Sequence, residues 1–172
     1  MLDLIRDGDM RAVGGAAKAA GLARANSALA AELVDLLSYP NAAVRMRAAD
    51  ALEKASAQNA KMLAPHKALL LELAEDTAQK ELRWHLAQLL PRLDLNAEEI
   101  SDIAEVFHRW YARDDSHIVR TFVVQGIVDL ARRAPELIDD AQALVADALE
   151  SEAPALKARA RKVKLVLDRL QP

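Results

Sequence analysis

The sequence predicts an all-α fold, and three observations predict it. Ala (36) and Leu (27) together outnumber Val, Ile and Thr together (19) by more than three to one, and the first pair are strong helix formers while the second group favour strands. Apolar residues recur at helical spacing, as in Leu29, Leu33 and Leu36, or Ile100, Ile103, Phe107 and Trp110. One helix-length pattern also returns along the chain at offsets of 38, 37 and 37 residues. At roughly 100–200 residues per domain, the 172 residues are expected to form a single domain over 1–172.

The repeat is anchored on an aliphatic residue followed by a base. Val44-Arg45 recurs as Leu82-Arg83, Val119-Arg120 and Leu156-Lys157. Counting from the aliphatic residue, position +4 reads Ala48, Leu86, Val123 and Ala160, and position +8 reads Leu52, Leu90 and Ile127, with Lys164 breaking the column. Both columns fit a buried helix stripe. A weaker copy begins at Met10-Arg11.

The elements follow in order from periodicity and punctuation. Helices are expected at 2–7 and at 10–24, where Gly14 and Gly15 interrupt an Ala-rich pattern and call for close packing of a neighbouring backbone, within the chain or across a dimer. The next are 28–38 and 42–56, separated by Pro40-Asn41. Helices at 64–75 and 79–90 follow, the latter ended by Pro91. Asn96, with Glu99 three residues on, reads as a capping box opening 97–112. Asp114-Asp115-Ser116 precedes 116–133, a helix at 136–149 comes next, and Ser151 ahead of Pro154 opens 154–170. Each repeat is thus a helical hairpin.

The hairpin period and the pattern of an aliphatic residue, Arg, Ala-rich spacing and Leu resemble HEAT repeats from about residue 10 to the end. The resemblance implies a right-handed α-solenoid of about five hairpins with a degenerate first repeat. It further implies that the second helix of each hairpin lines a concave face, and that Arg45, Arg83, Arg120 and Lys157 pair with a loop acid of a neighbouring repeat.

Composition narrows the function classes. With 52% apolar and 28% charged residues the chain is not a disordered polymer. A net charge of -3 gives no whole-molecule reason for nucleic acid or an anionic membrane. The absence of Cys removes thiol chemistry and thiolate metal sites. No apolar run of about 18 residues is present, and the acidic opening MLDLIRDGDMR is unlike a signal peptide, so the expected location is cytoplasmic. No phosphate loop, nucleophile elbow or metalloprotease helix occurs. Glu105 and His108 have a Glu-x-x-His spacing, but a di-metal site needs a second copy. No catalytic residue, metal or cofactor is expected.

Positions +2, +3 and +6 lie opposite the core stripe and are expected to line the concavity. They read Met46, Arg47, Asp50; Trp84, His85, Gln88; Thr121, Phe122, Gln125; and Ala158, Arg159, Lys162. The expected function is a non-catalytic adaptor holding a protein segment on this face. Trp84 and Phe122 would be apolar anchors, Gln88 and Gln125 polar guides, with His85 beside them, and Arg47, Arg159 and Lys162 would select acidic partners. The last predicted helix carries Lys157, Arg159, Arg161, Lys162, Lys164 and Arg169 against Asp168, after a stretch from Glu136 to Glu152 with six acids and no base. Two alternatives are a nucleic-acid-binding or DNA-base-processing protein, for which Trp84, Asp50 and Arg47 or Arg159 supply the residue types of HEAT-like glycosylases, and a structural homo-oligomer. The chain is expected to be a monomer or weak homodimer.

Overall fold

Ten α-helices and no strand are present among the described residues of the computed structural model, which are 1–7 and 14–170. The helices are α1 (Leu2–Ile5), α2 (Ala16–Ala25), α3 (Ser27–Asp35), α4 (Ala42–Ser56), α5 (Lys67–Asp76), α6 (Lys80–Leu89), α7 (Ala97–Arg113), α8 (His117–Ala131), α9 (Ile138–Glu150) and α10 (Pro154–Leu167). They fall into two compact units, Met1–Asp94 and Leu95–Pro172.

In the first unit α4 packs against α1, α2, α3 and α6. Alanines make the approach of α2 close, since Ala16, Ala19, Ala20 and Ala23 are all buried. The two glycines, expected inside a helix over 10–24, lie before α2 instead. Gly14 adopts a left-handed conformation with φ +49, and Gly15 is the residue that caps α2 at its start. A Cβ on Gly15 would clash with the Leu4 carbonyl oxygen, so the close backbone approach comes from within the chain. Met10 and Arg11, the weak first copy of the repeat, lie outside the described residues. The segment before α5 is a 3-10 stretch, Ala60–His66, which contains Pro65. Arg92 then ties the end of α6 back to α4, donating to the Glu53 carbonyl, the Glu53 carboxylate and the Ser56 hydroxyl.

In the second unit α7 packs on α8, and α10 packs on both α8 and α9. The capping box is formed: Glu99 N–H donates to Asn96 and Asn96 N–H donates to Glu99, both at 2.9 Å. Ile100, Ile103, Phe107 and Trp110 form the buried face of α7. Tyr111 is buried beside them and its hydroxyl donates to Asp147 of α9 at 2.7 Å. Burial, the hydrogen bond to Asp147 and the charge of that carboxylate push the Tyr111 phenol above its ordinary 10.0.

The repeat columns behave as one buried stripe in both units. Val44, Leu82, Val119 and Leu156, the +4 residues, and Leu52, Leu90 and Ile127 are each at most 2% exposed, and Lys164 is the exposed break. The base after the aliphatic residue has a recurrent role. Arg45, Arg83 and Arg120 each donate to the carbonyl six residues earlier, on Tyr39 at 2.7 Å, Thr77 at 2.9 Å and Asp114 at 2.9 Å. The guanidinium thereby fastens the loop that enters its own helix. Where the resemblance implied an acid for Arg45 in the neighbouring repeat, the residue met there is an amide: the Arg45 Nε donates to Gln79 Oε1 at 2.7 Å.

Candidate functional site

A groove of about 290 Å³ lies between α8 and α10, lined by Ile118, Thr121, Phe122, Ala155, Ala158, Arg159 and Lys162. Helical geometry puts these residues together. On α8, 118, 121, 122 and 125 share one face, and on α10, 155, 158, 159 and 162 share the corresponding one. Ser116 starts α8 by accepting from the Val119 N–H, and Pro154 starts α10 at a position where its missing N–H costs no helical bond. The first turns of both helices therefore bring Ile118 and Ala155 to the mouth of the groove.

The floor is apolar. Ile118 is 47% exposed, Phe122 is half-buried, and Ala155 and Ala158 are exposed residues too small to close over the groove. Arg159 forms one wall, with its guanidinium 5.5 Å from the centroid of the Phe122 ring. Its Nη1 donates to Gln125 Oε1 at 3.0 Å, and Gln125 Nε2 in turn donates to Asp129 at 3.0 Å. This relay fixes Arg159 and occupies Gln125, so the amide is spent within the wall. Lys162 stands exposed at the far end.

Of the residues expected on one face, the structure brings together Phe122, Gln125, Arg159 and Lys162. Trp84, His85 and Gln88 belong to α6 in the first unit. Trp84 is half-buried with its ring 5.6 Å from that of His85, and the Gln88 amide donates back to the Trp84 carbonyl at 3.0 Å.

Two of the eight residues are not where a partner could reach them. Arg47 is 0% exposed and donates to the Ile5 carbonyl at 2.6 Å. Position +3 lies on the flank of the core stripe, and in α4 this flank is covered by α1 and by Gly14, whose Cβ position is 3.4 Å from Arg47 Cδ. His85 occupies the same flank of α6 and is 7% exposed, facing Asp50, Glu53 and Lys54 of α4. Burial lowers its pKa from 6.5 to about 4 against the opposing pull of Asp50 and Glu53. It is therefore neutral at pH 7, and its buried Nδ1 has no hydrogen-bond partner. Of the base-processing set, Arg47 is enclosed, Asp50 is paired with Lys54 at 2.6 Å, and Trp84 and Arg159 are half-buried.

Ile118 and Ala155 were missed by the sequence reading. They precede the aliphatic residue by one position, and a signal existed, since that position lies one helical turn before +2 and +3 on the same face. A second cavity, of about 270 Å³, separates α9 from α10, but the two charged groups lining it, Lys164 and Asp168, are paired at 2.8 Å. His108 faces Asp140 at 3.6 Å. Among the described residues no cluster of three or more His, Asp or Glu is placed to hold a metal ion, and no helix is long and apolar enough to cross a membrane.

No family model, no curated protein and no solved structure matches the chain.

Proposed function

We propose that the chain is a non-catalytic interaction module, a right-handed α-solenoid of the HEAT type, and that it binds a segment of a partner protein in the α8–α10 groove. The observation that carries this reading is the groove itself, an exposed apolar floor beside a guanidinium already locked in position. Exposed apolar surface flanked by charged groups is the usual composition of a recognition site. The solenoid reading is supported by the repeated arginine clamp and by the buried stripe that recurs with it.

Affinity capture from a lysate of the source cells tests the reading. Wild type is compared with Ala158→Trp, which fills the groove from an exposed helix position, and circular dichroism verifies the fold of both. A partner held by wild type after nuclease treatment and lost with Ala158→Trp is the expected result. Capture that is indifferent to the substitution removes the groove from the function. Capture that disappears with nuclease transfers the function to nucleic acid, a reading favoured by the exposed Arg161, Lys162 and Arg169.

A further inference from the structure

The groove between α8 and α10 has an apolar floor, and its charged lining residues, Arg159 and Lys162, are both cations. We infer that its occupant is an acidic protein segment carrying one large apolar side chain, which sits over Phe122 while a carboxylate about one helical turn away meets Lys162. The inference rests on the interaction reading above and names the chemistry of the partner.

At about 290 Å³ the cavity has room for one large side chain and lies at the lower edge of the roughly 300–1,000 Å³ of small-molecule sites. Its depth comes from Ala155 and Ala158, one turn apart on α10, which leave Ile118 and the part of Phe122 that Arg159 does not cover open to water. A partner's apolar side chain entering here would cover both.

Charge favours an acid beside it. Residues 154–167 hold Lys157, Arg159, Arg161, Lys162 and Lys164 and no Asp or Glu. Lys164 is held by Asp168. Among the described residues, no ion pair joins Lys157, Arg161 or Lys162 to the acids of α9, so these cations are not held in direct pairs by the acidic helix next door. Position sets the spacing. Lys162 lies four residues beyond Ala158, about 6 Å of helix rise, so the carboxylate and the anchor are one turn apart in a helical partner or two residues apart in an extended one.

A nucleic acid fits less well. Its phosphates would meet Arg159, Lys162 and the exposed Arg161 but leave the apolar floor unused, and such binding would be steeply salt-sensitive.

The test is fluorescence anisotropy of the full chain with short labelled peptides: a glutamate-rich peptide with one Leu, the same peptide with Leu replaced by Ala, and a lysine-rich counterpart that keeps the Leu. We expect the acidic Leu peptide to bind about tenfold more tightly than either control, and Ala158→Trp to abolish that gain. Lys162→Glu should shift preference towards the lysine peptide with the fold unchanged by circular dichroism. Equal binding of the acidic and basic peptides, no detectable binding of the acidic one, or a preference that Lys162→Glu leaves unaltered would overturn the inference. So would tighter, Lys162-dependent binding of duplex DNA or of phosphatidylserine vesicles, or a groove occupied by a second copy, seen as a dimer that Ala158→Trp dissolves. If the peptides fail while lysate capture stays sensitive to Ala158→Trp, the partner's chemistry is wrong and the interaction reading stands. If both fail, both fall.

Discussion

Acidification should destabilise the protein through one buried side chain, His85. Its pKa falls from 6.5 to about 4 on folding, chiefly because burial disfavours the imidazolium. The unfolded chain therefore binds a proton that the folded chain refuses, so the stability His85 supports is fully present above pH 6.5 and is lost as pH falls towards 4. At about 1.4 kcal/mol per pKa unit the whole displacement is worth about 3 kcal/mol, of which about 2 kcal/mol is lost by pH 5. Urea unfolding of wild type and His85→Leu at pH 7.5 and pH 5 isolates the contribution, because the other titrating groups are common to both chains. The wild type should lose about 2 kcal/mol more than the variant over that interval. The orphaned Nδ1 adds a second expectation at pH 7.5. Removing a buried polar atom with no partner offsets part of the volume lost, so His85→Leu should be nearly neutral in stability there. Equal acid losses in the two proteins would refute the reasoning, since the proton taken up on unfolding would then belong elsewhere. Asp50→Asn supplies the converse, because that carboxylate raises the His85 pKa and its removal should begin the acid loss at the same pH and carry it further.

Two other perturbations follow from single contacts. Gly15→Ala places a Cβ against the Leu4 carbonyl oxygen, a backbone atom that moves only with α1, and should cost about 1–3 kcal/mol in chemical denaturation. Tyr111→Phe removes the hydrogen bond to Asp147, an exposed carboxylate that water can then solvate, and should cost about 0.5–1 kcal/mol. Because Tyr111 ionises above its ordinary 10.0, the same substitution should leave the ultraviolet titration of phenolate unchanged through that ordinary range.

The core stripe was legible because it is redundant. Positions 0, +4 and +8 lie within about 80° of arc at about 100° per residue, and in every copy they hold aliphatic or Ala residues except Lys164, which structure and sequence both place outside. Caps were legible for a similar reason, since Asn96 and Glu99 must satisfy specific N–H groups and only a few residue types can. Position +3 was not. It lies about 100° from the middle of the stripe, on a flank that is solvent or interior according to whether another element lies beside it. Nothing in Arg47 or His85 as residue types announces burial, for both are mostly exposed or intermediate in proteins at large.

What lies beside each helix explains why the same position gives a buried arginine in one copy and an open groove in another. In the first unit, α4 is covered by α1, α2, α3 and α6, and the Ile5 carbonyl receives the guanidinium of Arg47. A fully buried charge is tolerated only where it is hydrogen-bonded, and the carbonyl at the end of α1 is one of the groups that receives this one. In the second unit, among the described residues, α10 packs closely against α8 and α9, and its small residues at 155 and 158 leave the groove beside α8 unfilled. Arg159, the counterpart of Arg47, consequently finds its partners in an aromatic face and an amide at the surface. A guanidinium has five donors, and that amide accepts from only one of its nitrogens. The remaining donors of Arg159, next to the exposed ammonium of Lys162, are what gives the groove its demand for an anion.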